Sequence, residues 1–376
     1  MNTTLRASAF HARTAAANRS NAWVVRNGVT LPAVFTDTND EVLAAHTHVG
    51  LTDLGARWQL MLEGPRVAEF LQKLLTRGVS NLSPGFALKA LWLADGGGVR
   101  GAGVAARSGR ESFWLLAASV DSFWIDSAAA FFDVTVSDIS ARHSGLAITG
   151  PYAAATLDAA GIEANLTPLA FRKASWLGTE VILSRFGEHG GYELWCNADD
   201  GLIAWDRIAQ AGAAFGLQPI GTIAMDVLDI EAGIPRPGRD YLPAVDGDAA
   251  TPLPSALGLG TLVEMEHATF NGRAGLLRSA TGEARRLVGV QIESDSAAPH
   301  TPLTIDGRAV GRTLSSAYSP FLRQAIALAQ VDDSVAKPGT RLRLTLPPSL
   351  HAPELRSALA RVVDLPFLKR PDSLPE

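Results

Sequence analysis

Short runs in which apolar and polar residues alternate, each bounded by Gly, Pro or Asp, recur along the chain. They lie at Trp58–Leu62, Phe113–Ala117, Leu146–Thr149, Glu180–Leu183 and Tyr192–Cys196. Between them are segments whose apolar residues recur at three and four positions, namely Val67–Leu75, Ser119–Phe132, Tyr152–Ala160 and Gly201–Phe215. A period of two predicts strands and the longer period predicts helices, so an α+β fold with mixed sheets is expected.

The C-terminal part of the chain, from about Arg286, is dense in strand and turn signals. Asp306-Gly307 predicts a hairpin turn and Lys337-Pro338-Gly339 predicts another. A small β-barrel domain is therefore expected there. The stretch Asp240–Ser255, rich in Pro, Asp and Ala, predicts a loop that crosses between domains.

Composition narrows the class of protein. The 376 residues are 47% hydrophobic, which is enough for two or three packed domains. The net charge of −5 is spread without blocks of one sign, which argues against nucleic acid and membrane surfaces as partners. No apolar run approaches the roughly 18 residues of a membrane span. The single cysteine, Cys196, excludes an internal disulfide and favours a packing role.

The first 21 residues carry Arg6, Arg13 and Arg19 with no acid and are rich in Ala and Ser, a composition that also fits a transit peptide. The excess of Arg over Lys fits a bacterium with GC-rich DNA. On that compositional ground we expect a cytoplasmic protein from which nothing is removed.

A glycine-dense turn precedes the strand Tyr192–Trp195 and places one acid, Glu193, among apolar neighbours. Gly187, Gly190 and Gly191 allow a positive φ or a close approach to a planar ligand. A buried carboxylate needs a partner. Two interpretations remain open: the ring N–H and amino groups of a heterocycle such as a pterin, or a structural Arg within a glycine hairpin.

Several other patterns carry weaker signals. His46-Thr47-His48 resembles part of a metal site, but no third ligand lies nearby, and no metal is expected. Gly96-Gly97-Gly98 fits neither the dinucleotide fingerprint nor a P-loop. Three acids, Asp226, Asp229 and Glu231, fall in one predicted helix and are expected to be solvated or paired with Arg236 and Arg239.

Segments along most of the chain resemble the glycine-cleavage T-protein superfamily, the tetrahydrofolate-dependent aminomethyltransferases and demethylases. They include TLPAVF, the stretch from His46 to Leu88, LAITGPYAAATL, RFGEHGGYELW, EAGIPRPGRDY, the stretch from Leu257 to Arg278 and the stretch from Asp306 to Val331. The two strand–Gly–Pro–helix segments, near Gly64 and Gly150, are candidates for an internal pseudo-repeat.

The resemblance implies a fold of three domains in a ring around the folate, in which the second domain interrupts the sequence of the first. We accordingly predict a folate-binding region of two interleaved α+β domains at 1–280 and a C-terminal β-barrel domain at 286–376. Tetrahydrofolate is the implied cofactor.

The chain departs from the T-protein pattern at residues that the family uses. The family's Gly-Gly-x-x-Asp-Asp motif falls on Gly97–Ala102, so that Gly101 occupies the position of the acid that activates the folate N5 region. The family's Asn falls on Ala118, its Arg on Met225, and its Tyr on Phe186. Glu193 alone among these is unchanged, and glycine-cleavage activity is therefore not expected.

Gly190-Gly191-Tyr192-Glu193 and TLPAVF resemble the demethylase branch more closely. That branch moves a methyl group from an activated donor to N5 of the cofactor, and the protein mainly aligns the two. The resemblance implies the cofactor-binding positions Glu193, Phe186, Tyr192, Gly101 and Met225.

An ether donor would need a proton or a cation at its departing oxygen, and we name Arg100 and His189 as catalytic candidates. The structural alternatives are a solvated arginine at a hairpin end and an exposed turn residue. A sulfonium or ammonium donor would need an acidic or aromatic cage, for which Trp23, Trp58, Trp92 and Trp114 are candidates, although tryptophan is more often a core residue.

The expected partners are a small methylated substrate and folate. Two other functions stay open: a non-catalytic folate-binding protein, and an accessory subunit of a demethylating system with a flavoprotein or demethylase partner.

Overall fold

The computed structural model describes residues 5–247, 252–266, 269–279, 285–294, 298–346 and 356–369. Within these residues the chain forms two compact units. Unit one contains residues up to 90 and from 102 to 225, and unit two contains residues 91–101 and the described residues from 226 to 369. The predicted domain boundaries, 1–280 and 286–376, stay a prediction.

The α-helices of the described residues are α1 (His11–Ala17), α2 (Thr38–Thr47), α3 (Val67–Leu74), α4 (Ser122–Ala129), α5 (Ala153–Ala160), α6 (Gly201–Gly212), α7 (Thr222–Glu231) and α8 (Arg273–Ser279). The strands of unit one and of the segment that links it to unit two are β1 (Arg6–Ala7), β2 (Ala22–Arg26), β3 (Val29–Val34), β4 (Val49–Asp53), β5 (Trp58–Glu63), β6 (Ala87–Leu93), β7 (Val99–Arg107), β8 (Ser112–Ala117), β9 (Thr135–Asp138), β10 (His143–Thr149), β11 (Phe171–Trp176), β12 (Thr179–Ser184), β13 (Tyr192–Asn197) and β14 (Leu217–Pro219). The remaining strands are β15 (Arg285–Ile292), β16 (Pro302–Ile305), β17 (Arg308–Ser319), β18 (Gln324–Asp332), β19 (Arg341–Leu346) and β20 (Arg356–Val363).

The strands and helices predicted from periodicity are present, so the predicted α+β class is confirmed. The predicted strands correspond to β5, β8, β10, β12 and β13, and the predicted helices to α3, α4, α5 and α6. Helix α4 begins three residues later than predicted, at Ser122, because the Asp121 side chain caps it by accepting a hydrogen bond from the backbone N–H of Trp124 at 3.1 Å. Short 3₁₀ turns continue α4 to Phe132 and α6 to Phe215.

A six-stranded mixed sheet, ordered β11-β12-β13-β10-β4-β14, forms the centre of unit one. One of its faces is apolar: Leu51, Leu146, Leu183 and Leu194 lie in one buried cluster with residues of α5 and α6. The other face is mixed: it carries Glu193 and Thr52 together with Trp195 and Phe171, which lie in a second buried apolar cluster. Both faces are therefore packed, and a slip of one residue would exchange the side chains of the two faces.

Two strand–Gly–Pro–helix segments have the same local structure. Gly64-Pro65 follows strand β5 and precedes α3, and Gly150-Pro151 follows strand β10 and precedes α5. Both glycines have positive φ, +150° and +119°, and the N-cap residue of each helix has φ near −100°. In each case the glycine carbonyl accepts the first hydrogen bond of the helix, from Val67 or Ala153. This correspondence supports the pseudo-repeat predicted from the sequence.

A closed β-barrel, ordered β15-β18-β17-β16-β19-β20, occupies unit two, as predicted. Asp306 and Gly307, with φ of 48° and 79°, form the hairpin turn between β16 and β17. The prediction of a second hairpin at Lys337-Pro338-Gly339 is wrong. That turn joins β18 to β19, and each of these strands pairs with other neighbours in the barrel.

Among the described residues, no helix is both long enough and apolar enough to cross a membrane.

Candidate functional site

The glycine-dense turn joins β12 to β13, and its glycines serve the protein's own backbone. Gly190 has φ +76°, a conformation that favours glycine. A Cβ at Gly191 would lie 2.3 Å from the carbonyl oxygen of Ile148, so this residue allows the turn to pack on β10. A Cβ at Gly187 would lie 3.3 Å from the carbonyl oxygen of Gly191. The turn thereby fixes where β13 begins, and with it the position of Glu193.

Glu193 belongs to a row of residues across the face of the six-stranded sheet that is opposite α5 and α6. It lies opposite Ser184 of β12 and Ala147 of β10, and Ala147 lies opposite Thr52 of β4. Residues directly opposite one another in a ladder share a face. We call Thr52, Ala147, Ser184 and Glu193 the polar row, and all four are buried. Thr52 Oγ1 is a buried atom that makes no hydrogen bond within the described residues.

The carboxylate of Glu193 forms an ion pair with Arg57. Arg57 Nη1 lies 2.5 Å from Glu193 Oε1, and the side chains are 18% and 3% exposed. Ser184 Oγ lies 3.5 Å from the other oxygen, Oε2, too far for a good hydrogen bond. The structural-arginine interpretation of the sequence is thus correct for one carboxylate oxygen. Removing one partner of such a pair typically costs about 3–5 kcal/mol, because the other charge stays buried.

Two residues implied to bind the cofactor are committed to other contacts. Phe186 is fully buried and lies edge-on to Trp114 and Phe171, at centroid distances of 6.4 and 5.6 Å. Stacking of its ring on a pterin would require these neighbours to move. The Tyr192 hydroxyl donates to the carbonyl of Ala164 at 2.6 Å, and the Arg185 guanidinium lies over the tyrosine ring.

The two catalytic candidates, Arg100 and His189, are more buried than a solvated arginine or an exposed turn residue would be. His189 is 6% exposed, so the expectation of an exposed turn residue is wrong. Arg100, in unit two, pairs with Asp246 at 2.7 Å, and its side chain is 9% exposed. The expectation of a solvated arginine is therefore also wrong. Asp246 in addition accepts the backbone N–H of Asp95, which braces the β6–β7 hairpin.

Gly101 makes room for an indole. A Cβ at position 101 would lie 2.2 Å from Cε2 of Trp92, whose side chain is fully buried on the neighbouring strand β6. No side chain fits at position 101 while Trp92 keeps this position. The absence of the family's acid is thus coupled to the presence of Trp92, which the sequence interpretation weighed only as a cage or core residue. Trp92 and Trp114 are both buried, as core tryptophans are.

The acids of α7 are mostly paired, as expected. Asp229 receives two hydrogen bonds from Arg236 at 2.7 Å, and Asp226 pairs with Arg239 at 3.1 Å. Glu231 differs, because it is buried and accepts a hydrogen bond from the hydroxyl of Ser319 at 2.6 Å. Met225, an implied cofactor-binding position, is half-buried at the unit-one end of α7.

Neither a metal site nor a reactive thiol emerges from the described residues. No group of three or more His, Cys, Asp or Glu side chains in this part of the chain is arranged to hold a metal ion. Cys196 is buried, and burial raises the pKa of its thiol to about 12, which keeps it protonated and unreactive. Its predicted packing role fits this position.

Sequence reasoning missed Arg57 and the contact between Trp92 and Gly101. Arg57 is 136 positions from Glu193, and nothing in a single sequence joins the two. The local sequence shows only that a cationic residue directly precedes β5, in the turn that follows β4. For Trp92, the sequence offers only a large residue and a glycine on two successive strands, and their contact is evident only from the structure.

Two family models match the chain: the GCVT N-terminal domain over residues 10–266, and the glycine cleavage T-protein C-terminal barrel domain over residues 285–369. The chain belongs to the glycine-cleavage T-protein family. The aminomethyltransferase of Bacillus subtilis (strain 168) is 31% identical over 356 residues, which cover 91% of this chain and 94% of that protein. An aminomethyltransferase of Synechococcus sp. (strain CC9902) is 32% identical over 362 residues, 92% of this chain and 94% of that protein.

The solved structure of the glycine cleavage system aminomethyltransferase T from Bartonella henselae shares the fold of this T-protein family member. It superposes with a TM-score of 0.85 and 22% identity, and covers 97% of this chain and 98% of that one. The predicted superfamily and the α+β fold with a C-terminal barrel are confirmed. The closer resemblance to the demethylase branch stays a prediction.

Proposed function

We propose that this T-protein family member is a tetrahydrofolate-dependent one-carbon transferase that moves a methyl group from a small methylated donor to N5 of the folate. The observation that carries the proposal is the buried carboxylate of Glu193, which the glycine turn positions on one face of the six-stranded sheet. Family membership supports the same activity class.

The polar row fits one edge of a pterin in part. Glu193 Oε2 has an unused acceptor capacity within the described residues, and Thr52 Oγ1 lies in the same row. A buried carboxylate oxygen without a good hydrogen bond suits the ring N–H and amino groups of a pterin, because these groups lose their hydrogen bonds to water when the ring is buried. Phe186 does not fit as a stacking residue in its present position, so we assign the edge contacts to Glu193 and leave the ring face unassigned.

When bound, the folate supplies the nucleophilic nitrogen that accepts the methyl group. The protein's share is orientation and the exclusion of water, effects that are worth several kcal/mol for a well-aligned pair. A donor whose methyl group passes directly to N5 needs no acid at position 101 to activate the folate, and Gly101 and Trp92 leave no space for one there. This agreement favours a sulfonium or aryl ether donor over an aminomethyl donor.

For an ether donor, the departing oxygen would need a proton. Arg100 pairs with Asp246. His189 is buried in the turn that fixes the position of Glu193. We therefore propose His189 as the residue to test first. The direct test is His189→Gln, with an expected loss of about 10²–10⁴-fold in kcat for an ether donor and little change in tetrahydrofolate affinity.

The folate site itself is tested by calorimetry of tetrahydrofolate binding to the wild type and to Glu193→Gln. Micromolar binding that weakens at least tenfold in the variant, about 1.4 kcal/mol, supports the proposal. Glu180→Gln is a suitable control, because Glu180 also pairs with a cation, Lys173, but at the surface. Equal affinity of all three proteins would contradict the role of Glu193.

A second candidate function is a folate-binding protein without catalysis. The observation that favours it is the same replacement of an acid by Gly101, filled by Trp92. Such a protein would bind tetrahydrofolate but form no 5-methyltetrahydrofolate from any methylated donor. The cytoplasmic location and a flavoprotein or demethylase partner subunit stay predictions, and co-purification from the source organism would test the latter.

A further inference from the structure

We propose that Arg57 determines which pteridine the site accepts, by donating a hydrogen bond to the 4-oxo group while Glu193 accepts from the neighbouring ring N–H and amino group. This inference rests on the proposed function, since it assigns a second residue to the same ligand edge. Arg57 is not among the site residues predicted from the sequence.

The ion pair is joined by one contact only. Arg57 Nη1 lies 2.5 Å from Glu193 Oε1, and the described residues offer no other hydrogen bond to the Arg57 guanidinium. A guanidinium has five N–H donors in a fixed fork, so most of its donors are left unused. On the carboxylate side, Oε2 has only the long contact with Ser184. A donor group and an acceptor group thus stand side by side with capacity to spare.

The edge of a 2-amino-4-oxopteridine presents the complementary order. Its 4-oxo oxygen accepts a hydrogen bond, and the adjacent ring N–H and 2-amino group donate. A guanidinium beside a carboxylate matches these groups one for one. The pair is also neutral as a whole, so that a neutral ring can cover it without burying a net charge.

The differing exposure of the two side chains agrees with this assignment. Glu193 is 3% exposed within the sheet face, whereas Arg57 is 18% exposed in the turn that follows β4. Arg57 can therefore adjust when a ligand arrives, while Glu193 is held by its strand. Arginine and carboxylate can also pair through two parallel hydrogen bonds, and the single contact here leaves Glu193 Oε2 and further N–H groups of Arg57 available to a ligand.

The test compares tetrahydrofolate with its 4-amino-4-deoxy counterpart, in which a donor replaces the 4-oxo acceptor. Binding of both ligands to the wild type and to Arg57→Met is measured by calorimetry. We expect the wild type to prefer the 4-oxo ligand, and the preference to fall at least tenfold in Arg57→Met, mainly through weaker binding of the 4-oxo ligand. Arg13→Met is the control, since Arg13 pairs with Asp206 at the surface of the same unit.

An unchanged preference in a folded Arg57→Met protein would overturn the inference and leave the proposed function standing. A wild type that binds neither ligand would instead overturn the proposed function. Because Arg57→Met leaves a buried carboxylate unpaired, the same comparison is made between Glu193→Gln and the double variant Glu193→Gln/Arg57→Met. There, too, the 4-oxo preference must fall at least tenfold when Arg57 is removed, and its persistence would overturn the inference.

Discussion

At the scale of single residues, the chain keeps the family's residue at position 193 and has a different residue, with different packing around it, at position 101. Glu193 stays where the T-protein pattern has its pterin glutamate, and it forms an ion pair with Arg57. At position 101 the acid is gone and an indole fills its place. The replacement at 101 is therefore a coupled change in packing, and restoring the acid alone would not restore the family site.

Gly101→Ala should destabilise unit two through overpacking. Its Cβ would lie 2.2 Å from the Trp92 indole, and such an insertion typically costs about 1–3 kcal/mol. In a Trp92→Leu background the same substitution should cost clearly less. Urea unfolding of the four proteins in this double-mutant cycle measures the coupling. Independent, additive effects would contradict the proposed contact.

Asp53 should make stability depend on pH. Burial raises the pKa of its carboxyl to about 6, although Ser8 and the backbone N–H of Gly55 donate hydrogen bonds to it. Between about pH 4 and pH 6 the folded protein therefore binds this proton more tightly than the unfolded chain does. The contribution of Asp53 to stability is fully present below about pH 4 and is lost as the pH rises through 6.

The measurement compares the free energy of unfolding of Asp53→Asn with that of the wild type at pH 4 and pH 7. We expect the variant to gain up to about 3 kcal/mol relative to the wild type over this range. Asp206→Asn should change weakly and in the opposite direction, because Arg13 lowers the pKa of that exposed carboxyl. A difference between Asp53→Asn and the wild type that is the same at both pH values would refute the buried, raised-pKa carboxyl.

At the scale of secondary-structure elements, local patterns predicted the strands and helices. The pairing of the strands and the contacts between them depend on residues far apart in the sequence. Strands such as β5 and β13 were predictable because alternation, Gly and Pro all act within a few residues. The pairing of Arg57 with Glu193 was not, since it depends on the order of strands in the sheet. The turn at Lys337–Gly339 shows the same limit, because its sequence fixes a turn but not the strands that become neighbours.

Glu41 should be a major support of the elements around α2. Its buried carboxylate accepts backbone N–H groups of Phe35, Thr36 and Gly221, at 2.7, 3.0 and 2.8 Å. These bonds tie the end of β3 to the segment before α7. Glu41→Ala should lower the free energy of unfolding by about 3 kcal/mol, since three buried donors lose a charged acceptor.

Urea unfolding checks the effect of Glu41→Ala, with Glu180→Ala as the exposed control. The control should lie within about 0.5 kcal/mol of the wild type, as expected for a surface ion pair. Equal stability of the two variants would contradict the bracing role of Glu41.

At the scale of the whole molecule, the fold is that of the glycine-cleavage T-protein family, while the residues at several family positions have changed. A T-protein fold with a closed barrel was predictable from ordered motifs along the chain. Of the predicted site residues, only the acid Glu193 was predictable, because the pairing of Arg57 with Glu193 and the packing of Trp92 on Gly101 became evident only from the three-dimensional structure. Family membership therefore establishes the fold, whereas the type of reaction has to be argued from the residues of the site.

A search for methyl transfer decides between a transferase and a folate-binding protein without catalysis. Purified protein is incubated with tetrahydrofolate and a panel of donors that carry a CD₃ group on a sulfonium, an aryl ether or an amine, and 5-CD₃-tetrahydrofolate is followed by mass spectrometry. We expect labelled product from a sulfonium or aryl ether donor, and a loss of at least tenfold in Glu193→Gln at subsaturating tetrahydrofolate. Tight tetrahydrofolate binding with no labelled product from any donor class would contradict the proposed methyl transfer and favour the non-catalytic folate-binding protein.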